Sequence, residues 1–186
     1  HRYIGHFQAW AENKRLSAPI EVLDDGSESN ESRLGAVQDV RFAIEKTGCT
    51  EDLMVLAGDN VLDFSLRGFA GYFDKKHASC IMRHFEPDAA RLARTGVAEI
   101  GANDLVLSME EKPAAPKSQW AVPPFYIYES ADVPLVSQAL AEGCAADAPG
   151  SFISWLCHRR PVYAMEMPGR RYDVGTLESY RRIDAS

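Results

Sequence analysis

Apolar residues recur along this chain at two different spacings, which predict where helices and strands lie. In SRLGAVQDVRFAIEKTG, residues 32–48, apolar positions repeat every three to four residues, which indicates a helix that ends at Gly48. The same spacing predicts further helices over 2–15, 66–76, 132–143 and 151–160, and a last helix after Asp173.

Short apolar runs that lack this spacing predict strands over 19–25, 52–58, 78–85, 121–130 and 162–167. Residues 95–113 contain two further runs joined by Gly101–Asp104, which predicts a hairpin. Because helix and strand alternate in the first half, we expect an α/β fold with a mixed, mainly parallel sheet.

The composition fits one domain over residues 1–186 and excludes several classes of partner. The net charge is −7 and Lys and Arg form no cluster beyond short pairs, so nucleic acid is not expected as a partner. No apolar run is long enough for a membrane span, so no membrane partner is expected either. The four cysteines form no CxxC pair and no zinc pattern, and free thiols favour a cytoplasmic setting.

The run LMVLAGDNVLDF ends a strand on two small residues and an acid. Ala57 and Gly58 lack bulk, and Asp59 follows them directly. A strand that enters a turn explains these residues well. The alternative is a binding site, because ligands of open α/β sheets lie beyond the carboxyl ends of the strands.

A second acid follows the same pattern in RRYDVGTLESY. Asp173 precedes Gly175 and Thr176, which also suit a loop that caps a helix. Two such acids on neighbouring strand ends could share Mg²⁺, which takes few carboxylates and fills its shell with water and phosphate oxygens.

Two more stretches carry polar or flexible groups at element ends. In SMEEKP, Glu111 and Lys112 follow a strand, and they form either a solvated pair or a site for sugar hydroxyls and a phosphate. Leu34 and Gly35 begin a helix, where a glycine leaves backbone N–H groups and room for a flat ring.

Six segments, in their order along the chain, resemble the sugar-1-phosphate nucleotidyltransferases: RLGAVQDV, VLAGDNV, TGVAEI, SMEEKP, AVPPFYIYES and RRYDVGTLESY. Among these NDP-sugar pyrophosphorylases, the pattern is most similar to that of the glucose-1-phosphate thymidylyltransferases. The resemblance runs from about His1 to the end of the chain, and GSFISWL fits it as well.

The resemblance implies a three-layer α/β/α fold and a Mg²⁺-dependent reaction. In this reaction an NTP and a hexose 1-phosphate give an NDP-sugar and pyrophosphate by in-line transfer. The favoured substrates are dTTP and glucose 1-phosphate. By motif, Asp59 and Asp173 would hold the metal, and Lys112 would contact the sugar phosphate. The family also implies roles for five further residues: Glu111, Gly96 and Val122 around the sugar, Leu34 and Gly35 against the base. Gly58 would lie beside the substrate.

The sequence departs from the family at two places. The family has a Gly-rich loop of the type GxGTRL, followed later by Pro-Lys, and this sequence contains neither. We therefore expect a fragment that lacks the triphosphate-binding segment and the first strand, and whose exposed sheet edge favours a homo-oligomer. Pro123 and Pro124 also stand where the family often has a small residue and glycine.

Two other functions remain open at this point. A non-catalytic module of the same fold could bind nucleotide sugars or regulate an enzyme, because fold alone does not fix activity. A glycosyltransferase of the GT-A type also places acids around a divalent metal, but this sequence has no clear DxD.

Overall fold

The computed structural model describes residues 3–14, 18–29 and 31–184, without the side chains of 182–184. Among the described helices, none is long and apolar enough to cross a bilayer. The helices are α1 (Ile4–Asn13), α2 (Ala36–Thr47), α3 (Arg67–Lys76), α4 (Ala89–Leu92), α5 (Leu135–Ala141), α6 (Ser151–Leu156) and α7 (Leu177–Asp184). The strands are β1 (Leu53–Leu56), β2 (Asn60–Leu62), β3 (Cys80–Phe85), β4 (Gly96–Ile100), β5 (Val106–Glu111), β6 (Trp120–Val122), β7 (Phe125–Tyr128), β8 (Tyr163–Glu166) and β9 (Arg171–Asp173).

The main sheet contains seven strands in the order β1-β7-β3-β6-β4-β5, with β8 paired to β3. The mixed α/β class is confirmed, but the expectation of a mainly parallel sheet is wrong for the part of the chain described. Only β3 and β8 pair in parallel, and the six other strand pairings are antiparallel. The reason is that β7 lies between β1 and β3. Those two strands run in the same direction, as the helical crossover predicts, but each pairs with a strand that runs the opposite way.

Alternation along the strands separates two helical layers. Ile81, Tyr126 and Tyr128 face one side of the sheet. Their neighbours within the same two strands face the other side: Cys80, Met82, Phe125 and Ile127. The first side packs against α2, α5 and α6, and the second packs against Phe69 of α3. This arrangement is the three-layer α/β/α fold that the resemblance implied.

Most predicted elements are present. The predicted hairpin is β4 and β5, joined by a short 3₁₀ turn over Ala102–Asp104. Helix α2 ends at Gly48, which adopts the left-handed conformation (φ 64°) typical of a helix C-terminus. The first predicted helix is seen as α1, while residues 2 and 15 of that prediction lie outside the described residues.

Two strand predictions are wrong. Residues 19–25 form no strand, because no described strand pairs with them and their aspartates instead accept hydrogen bonds from the next turn. The predicted strand over 121–130 is divided into β6 and β7. Pro123 and Pro124 lie at the division, where neither residue can donate a backbone hydrogen bond to a ladder.

Candidate functional site

A small two-stranded ribbon that the sequence did not predict brings the two candidate metal-binding acids to the same end of the fold. Strands β2 and β9 pair antiparallel, with Asn60 opposite Asp173. The backbone N–H of Val174 donates to the carbonyl oxygen of Asp59 at 2.8 Å, which extends the ladder by one step. Residues 114 positions apart in the chain are therefore neighbours at this end of the fold.

Both carboxylates are exposed and each keeps one oxygen free. Oδ1 of Asp59 accepts from Asn60 Nδ2 at 2.7 Å, and Oδ1 of Asp173 accepts from the backbone N–H of Gly175 at 2.9 Å. Their Oδ2 atoms make no hydrogen bond within the described residues. No group of three or more potential metal ligands occurs in that part of the chain. Two exposed carboxylates with free oxygens suit Mg²⁺, which keeps several waters or phosphate oxygens in its shell.

The end of β1 is open, as its small residues suggested. A side chain added at Gly58 would meet nothing within 4 Å. Directly before it, Leu56 and Ala57 line an apolar cavity of about 230 Å³, together with Ala36 and Val37 of α2. The cavity lies between the end of β1 and the start of α2, next to both glycine stretches that the sequence singled out.

The start of α2 is less accessible than expected. Gly35 is buried with φ 95°, and a Cβ there would lie 2.8 Å from the carbonyl oxygen of Ala146. The backbone N–H of Val37 already donates to that oxygen, and the N–H of Ala36 donates to the carbonyl of Asp147. The expectation of free N–H groups is therefore wrong for Ala36 and Val37, because the chain itself occupies them. Leu34, beside Gly35, is half-buried.

Three of the predicted sugar-binding residues form one row across the sheet, which we call the sugar row. Gly96 of β4 lies opposite Glu111 of β5 on one side and opposite Val122 of β6 on the other. A Cβ at Gly96 would lie 2.6 Å from the Met109 methyl group, 3.4 Å from Glu111 Oε1 and 3.5 Å from Val122 Cβ, so these side chains pack closely over the glycine. Three separate segments thus supply one continuous surface.

Glu111 is held by a glycine that sequence reasoning missed. A Cβ on Gly150 would lie 2.0 Å from Glu111 Oε1 and 2.2 Å from the Met109 methyl group. Burial raises the pKa of the Glu111 carboxyl, while the Gly150 backbone and Lys112 oppose that shift. The only sequence signal was the stretch GSFISWL, which matched the family without indicating a role for its glycine.

Lys112 occupies an unusual backbone conformation at the end of β5. Its φ is 47°, which is uncommon for a residue other than glycine. Its backbone N–H donates to the carbonyl oxygen of Thr95 at 3.0 Å, which ties it to the residue next to Gly96. The side chain is exposed, and its ammonium group makes no hydrogen bond or ion pair with the described residues. A free cation thus stands beside the sugar row.

Cys80 is a structural cysteine. All four cysteines are free thiols, and Cys80 is fully buried. Burial raises the pKa of Cys80 to about 12, so this thiol stays protonated and packs among apolar residues.

Comparison with known proteins finds similar sequences over most of the chain. A model of the family described as nucleotidyl transferase matches residues 4–186. A glucose-1-phosphate adenylyltransferase from Clostridium acetobutylicum is 26% identical over 185 residues, which cover 95% of this chain and 48% of that protein. A glucose-1-phosphate thymidylyltransferase from an Actinoplanes species is 36% identical over 93 residues, 48% of this chain and 30% of that protein. The chain therefore spans about half or less of the length of these relatives.

A solved structure shares the fold. A UDP-glucose pyrophosphorylase complexed with UDP-glucose is 20% identical, with a TM-score of 0.69 over 86% of this chain and 64% of that one. At this level of identity the likeness concerns the fold alone.

Proposed function

Because this chain belongs to the nucleotidyl transferase family, we propose that the protein is an enzyme that makes an NDP-sugar and pyrophosphate from an NTP and a hexose 1-phosphate. The sugar phosphate oxygen attacks the α-phosphorus of the nucleotide, and pyrophosphate leaves on the opposite side. Such a reaction needs positioned substrates and neutralised charge more than a protein nucleophile.

The sugar row beside Lys112 is the observation that carries the proposal. Glu111 offers a carboxylate with raised pKa within a sheet surface shaped by Gly96 and Val122. Its oxygens accept hydrogen bonds from sugar hydroxyls, and the absent side chain at Gly96 lets Met109 and Glu111 pack close to β4. The unpaired ammonium of Lys112 stands next to this surface and pairs with the phosphate.

The acid pair supplies the second half of the proposed site. Asp59 and Asp173 would hold Mg²⁺ through the carboxylate oxygens that the protein leaves free. When bound, this ion supplies charge neutralisation at the phosphates. Asn60 and the Gly175 backbone fix the orientation of the two carboxylates through the other oxygens.

The nucleotide base is proposed to lie near Leu34, Gly35 and Gly58, beside the apolar cavity at the end of β1. For the substrates, we favour dTTP and glucose 1-phosphate. Relatives named as glucose-1-phosphate thymidylyltransferases are 36% and 33% identical over matched stretches, and the adenylyltransferase from Clostridium acetobutylicum is named for the same sugar phosphate.

Pyrophosphate release tests this function. The protein is incubated with Mg²⁺, glucose 1-phosphate and, in separate wells, ATP, CTP, GTP, UTP or dTTP. We expect release that requires both substrates and is fastest with dTTP. The nucleotide that gives the fastest release identifies the base, and the need for both substrates identifies the reaction.

The same panel separates an enzyme from a binding module. If no nucleotide gives release with glucose 1-phosphate or with other hexose 1-phosphates, the proposed reaction is contradicted. Calorimetric binding of an NDP-sugar by such an inactive protein would then favour the non-catalytic module of the same fold.

A further inference from the structure

Two hydrogen bonds in series lead from an arginine to Asp59. Nη1 of Arg171 donates to Oδ1 of Asn60 at 2.8 Å, and Nδ2 of Asn60 donates to Oδ1 of Asp59 at 2.7 Å. Arg171 and Asn60 are 111 positions apart in the chain and lie on different strands of the ribbon. A side chain of β9 therefore contacts the residue that orients the carboxylate directly before β2.

The register of the ribbon explains why this contact forms. Arg171 lies opposite Leu62, and Asn60 lies opposite Asp173, so Arg171 and Asn60 are diagonal neighbours across the two strands. Diagonal neighbours of this kind are about 7–8 Å apart, a distance that a long side chain spans. Both residues are half-buried, which shields the hydrogen bond from water in part.

The charges at the two ends of this series fix the orientation of the Asn60 amide. An amide accepts through its oxygen and donates through its nitrogen, whereas an ionised carboxylate only accepts and a guanidinium only donates. A flipped amide would place its oxygen against Asp59 and its nitrogen against Arg171, and both contacts would be unfavourable. Arg171 thus stabilises the orientation in which Asn60 occupies Oδ1 of Asp59, and Oδ2 stays free.

The charge of Arg171 alone does not explain its place beside a proposed metal site. Among the described residues its guanidinium has no acid partner, and its one hydrogen bond goes to Asn60. Arg171 stands two residues before Asp173 on the same strand, where a positive charge repels a metal ion. What this arginine offers the site is therefore its contact with Asn60.

We propose that Arg171 is a positioning residue for the acid pair, which acts on Asp59 through the Asn60 amide. The proposal rests on the proposed function, in which Asp59 and Asp173 hold Mg²⁺. Groups that orient metal ligands without touching the metal typically change metal affinity by about 10–100-fold. We therefore expect the loss of Arg171 to weaken metal binding, although its removal also removes a repelling charge.

Binding of Mn²⁺, followed by electron paramagnetic resonance of the free ion, tests this role without turnover. Arg171→Met keeps an unbranched side chain but removes the charge and every donor. Arg170→Met is the matched control, because this neighbouring arginine is exposed and its side chain makes no hydrogen bond or ion pair with described residues. Melting curves confirm that each variant is folded before binding is compared.

The direction of the change separates positioning from a simple effect of charge. We expect Arg171→Met to bind Mn²⁺ about tenfold more weakly than the unchanged protein does. Arg170→Met should bind it equally or slightly more tightly, because only a repelling charge is lost. Asn60→Ala should lose about as much affinity as Arg171→Met, and Arg171→Met should cause no further loss in the Asn60→Ala background.

Three results would overturn the role of Arg171 while leaving the acid pair as the metal site. These are unchanged or tighter Mn²⁺ binding by folded Arg171→Met, a similar loss in Arg170→Met, and an equal further loss in the Asn60→Ala background. Asp59→Asn identifies the other kind of failure. If this variant binds Mn²⁺ as the unchanged protein does, the acid pair is not the metal site, and the positioning role is contradicted together with the proposed metal site.

Discussion

The sugar row and the acid pair are built in contrasting ways. The sugar row lies inside the main sheet, where Gly96 and Val122 are buried and Glu111 is partly buried beneath Gly150. The acid pair lies on a ribbon of two three-residue strands, and both of its carboxylates are exposed. The sugar row is fixed by packing within the sheet and against Gly150, whereas the acid pair is fixed by a short ladder and a few hydrogen bonds.

This difference suits the two ligands proposed for them. A neutral sugar ring is recognised by the shape of a surface and by oriented hydrogen bonds, which a packed sheet holds rigidly. A hydrated Mg²⁺ tolerates exposed ligands, because water and phosphate oxygens complete its shell. Substitutions in the sugar row should therefore alter packing as well as binding, whereas substitutions in the acid pair should alter turnover alone.

The largest effect is expected at the acid pair. Asp59→Asn and Asp173→Asn should each reduce Mg²⁺-dependent turnover at least about 100-fold, because each removes charge from the proposed metal site. The melting temperature should stay within a few degrees of that of the unchanged protein, since both side chains are exposed. Steady-state pyrophosphate release and thermal melts measure the two quantities.

Asp74→Asn, on the exposed side of α3, is the control for this pair and should retain full turnover. Unchanged turnover in either of the two site variants would remove that residue from the proposed metal site.

Lys112→Ala should act on one substrate more than on the other. We expect KM for the sugar 1-phosphate to rise about tenfold or more, with a smaller change for the nucleotide, because the free ammonium stands beside the sugar row. Initial rates with each substrate varied in turn separate the two constants. Equal losses for both substrates would contradict the role given to Lys112.

Gly150→Ala tests whether packing positions Glu111. The new methyl group would overlap the carboxylate, so we expect Glu111 to move and the affinity for sugar 1-phosphate to fall about tenfold. Gly71→Ala on α3 is the matched control, because a Cβ there meets nothing within 4 Å. If calorimetry gives the same sugar affinity for both variants, Gly150 does not position Glu111.

The smallest effect is a dependence of stability on pH. Burial raises the pKa of folded Glu111 above its unfolded value, so its contribution to stability is present at low pH and is lost as pH rises through the folded pKa. Glu111→Gln does not titrate, so this variant should melt higher than the unchanged protein at about pH 8 and alike at about pH 4. Melting curves of both proteins across this range measure the difference. A constant difference at every pH would show that ionisation of Glu111 does not affect the fold.

Local patterns in the sequence predicted the helices and strands better than they predicted which strands pair in the sheet. Helix α2 and the β4–β5 hairpin depend on spacing and turns within one stretch, and both are present where expected. The insertion of β7 between β1 and β3 depends on contacts between distant segments, which no local pattern reveals. The same limit explains why the β2–β9 ribbon was missed: each strand has three residues and is defined only by the other.

The candidate site shows this limit as well. Motifs pointed to Asp59 and Asp173 as a pair, but the β2–β9 ribbon that brings them together was not predicted. The charge count excluded a basic cluster along the sequence, yet folding assembles Arg94 and Arg170 in one cleft. Gly150, at the start of α6, has a role only because Glu111 at the end of β5 packs on it.

The central claim is that the sugar row and the acid pair serve one substrate at one site. The most direct test replaces Mg²⁺ with Mn²⁺, which also accepts carboxylate oxygens, and records the ³¹P relaxation rate of bound glucose 1-phosphate. We predict strong paramagnetic relaxation that disappears in Asp173→Asn. Glucose 1-phosphate that binds to the protein without enhanced ³¹P relaxation in the presence of Mn²⁺ would place the metal and the sugar phosphate apart and contradict the claim.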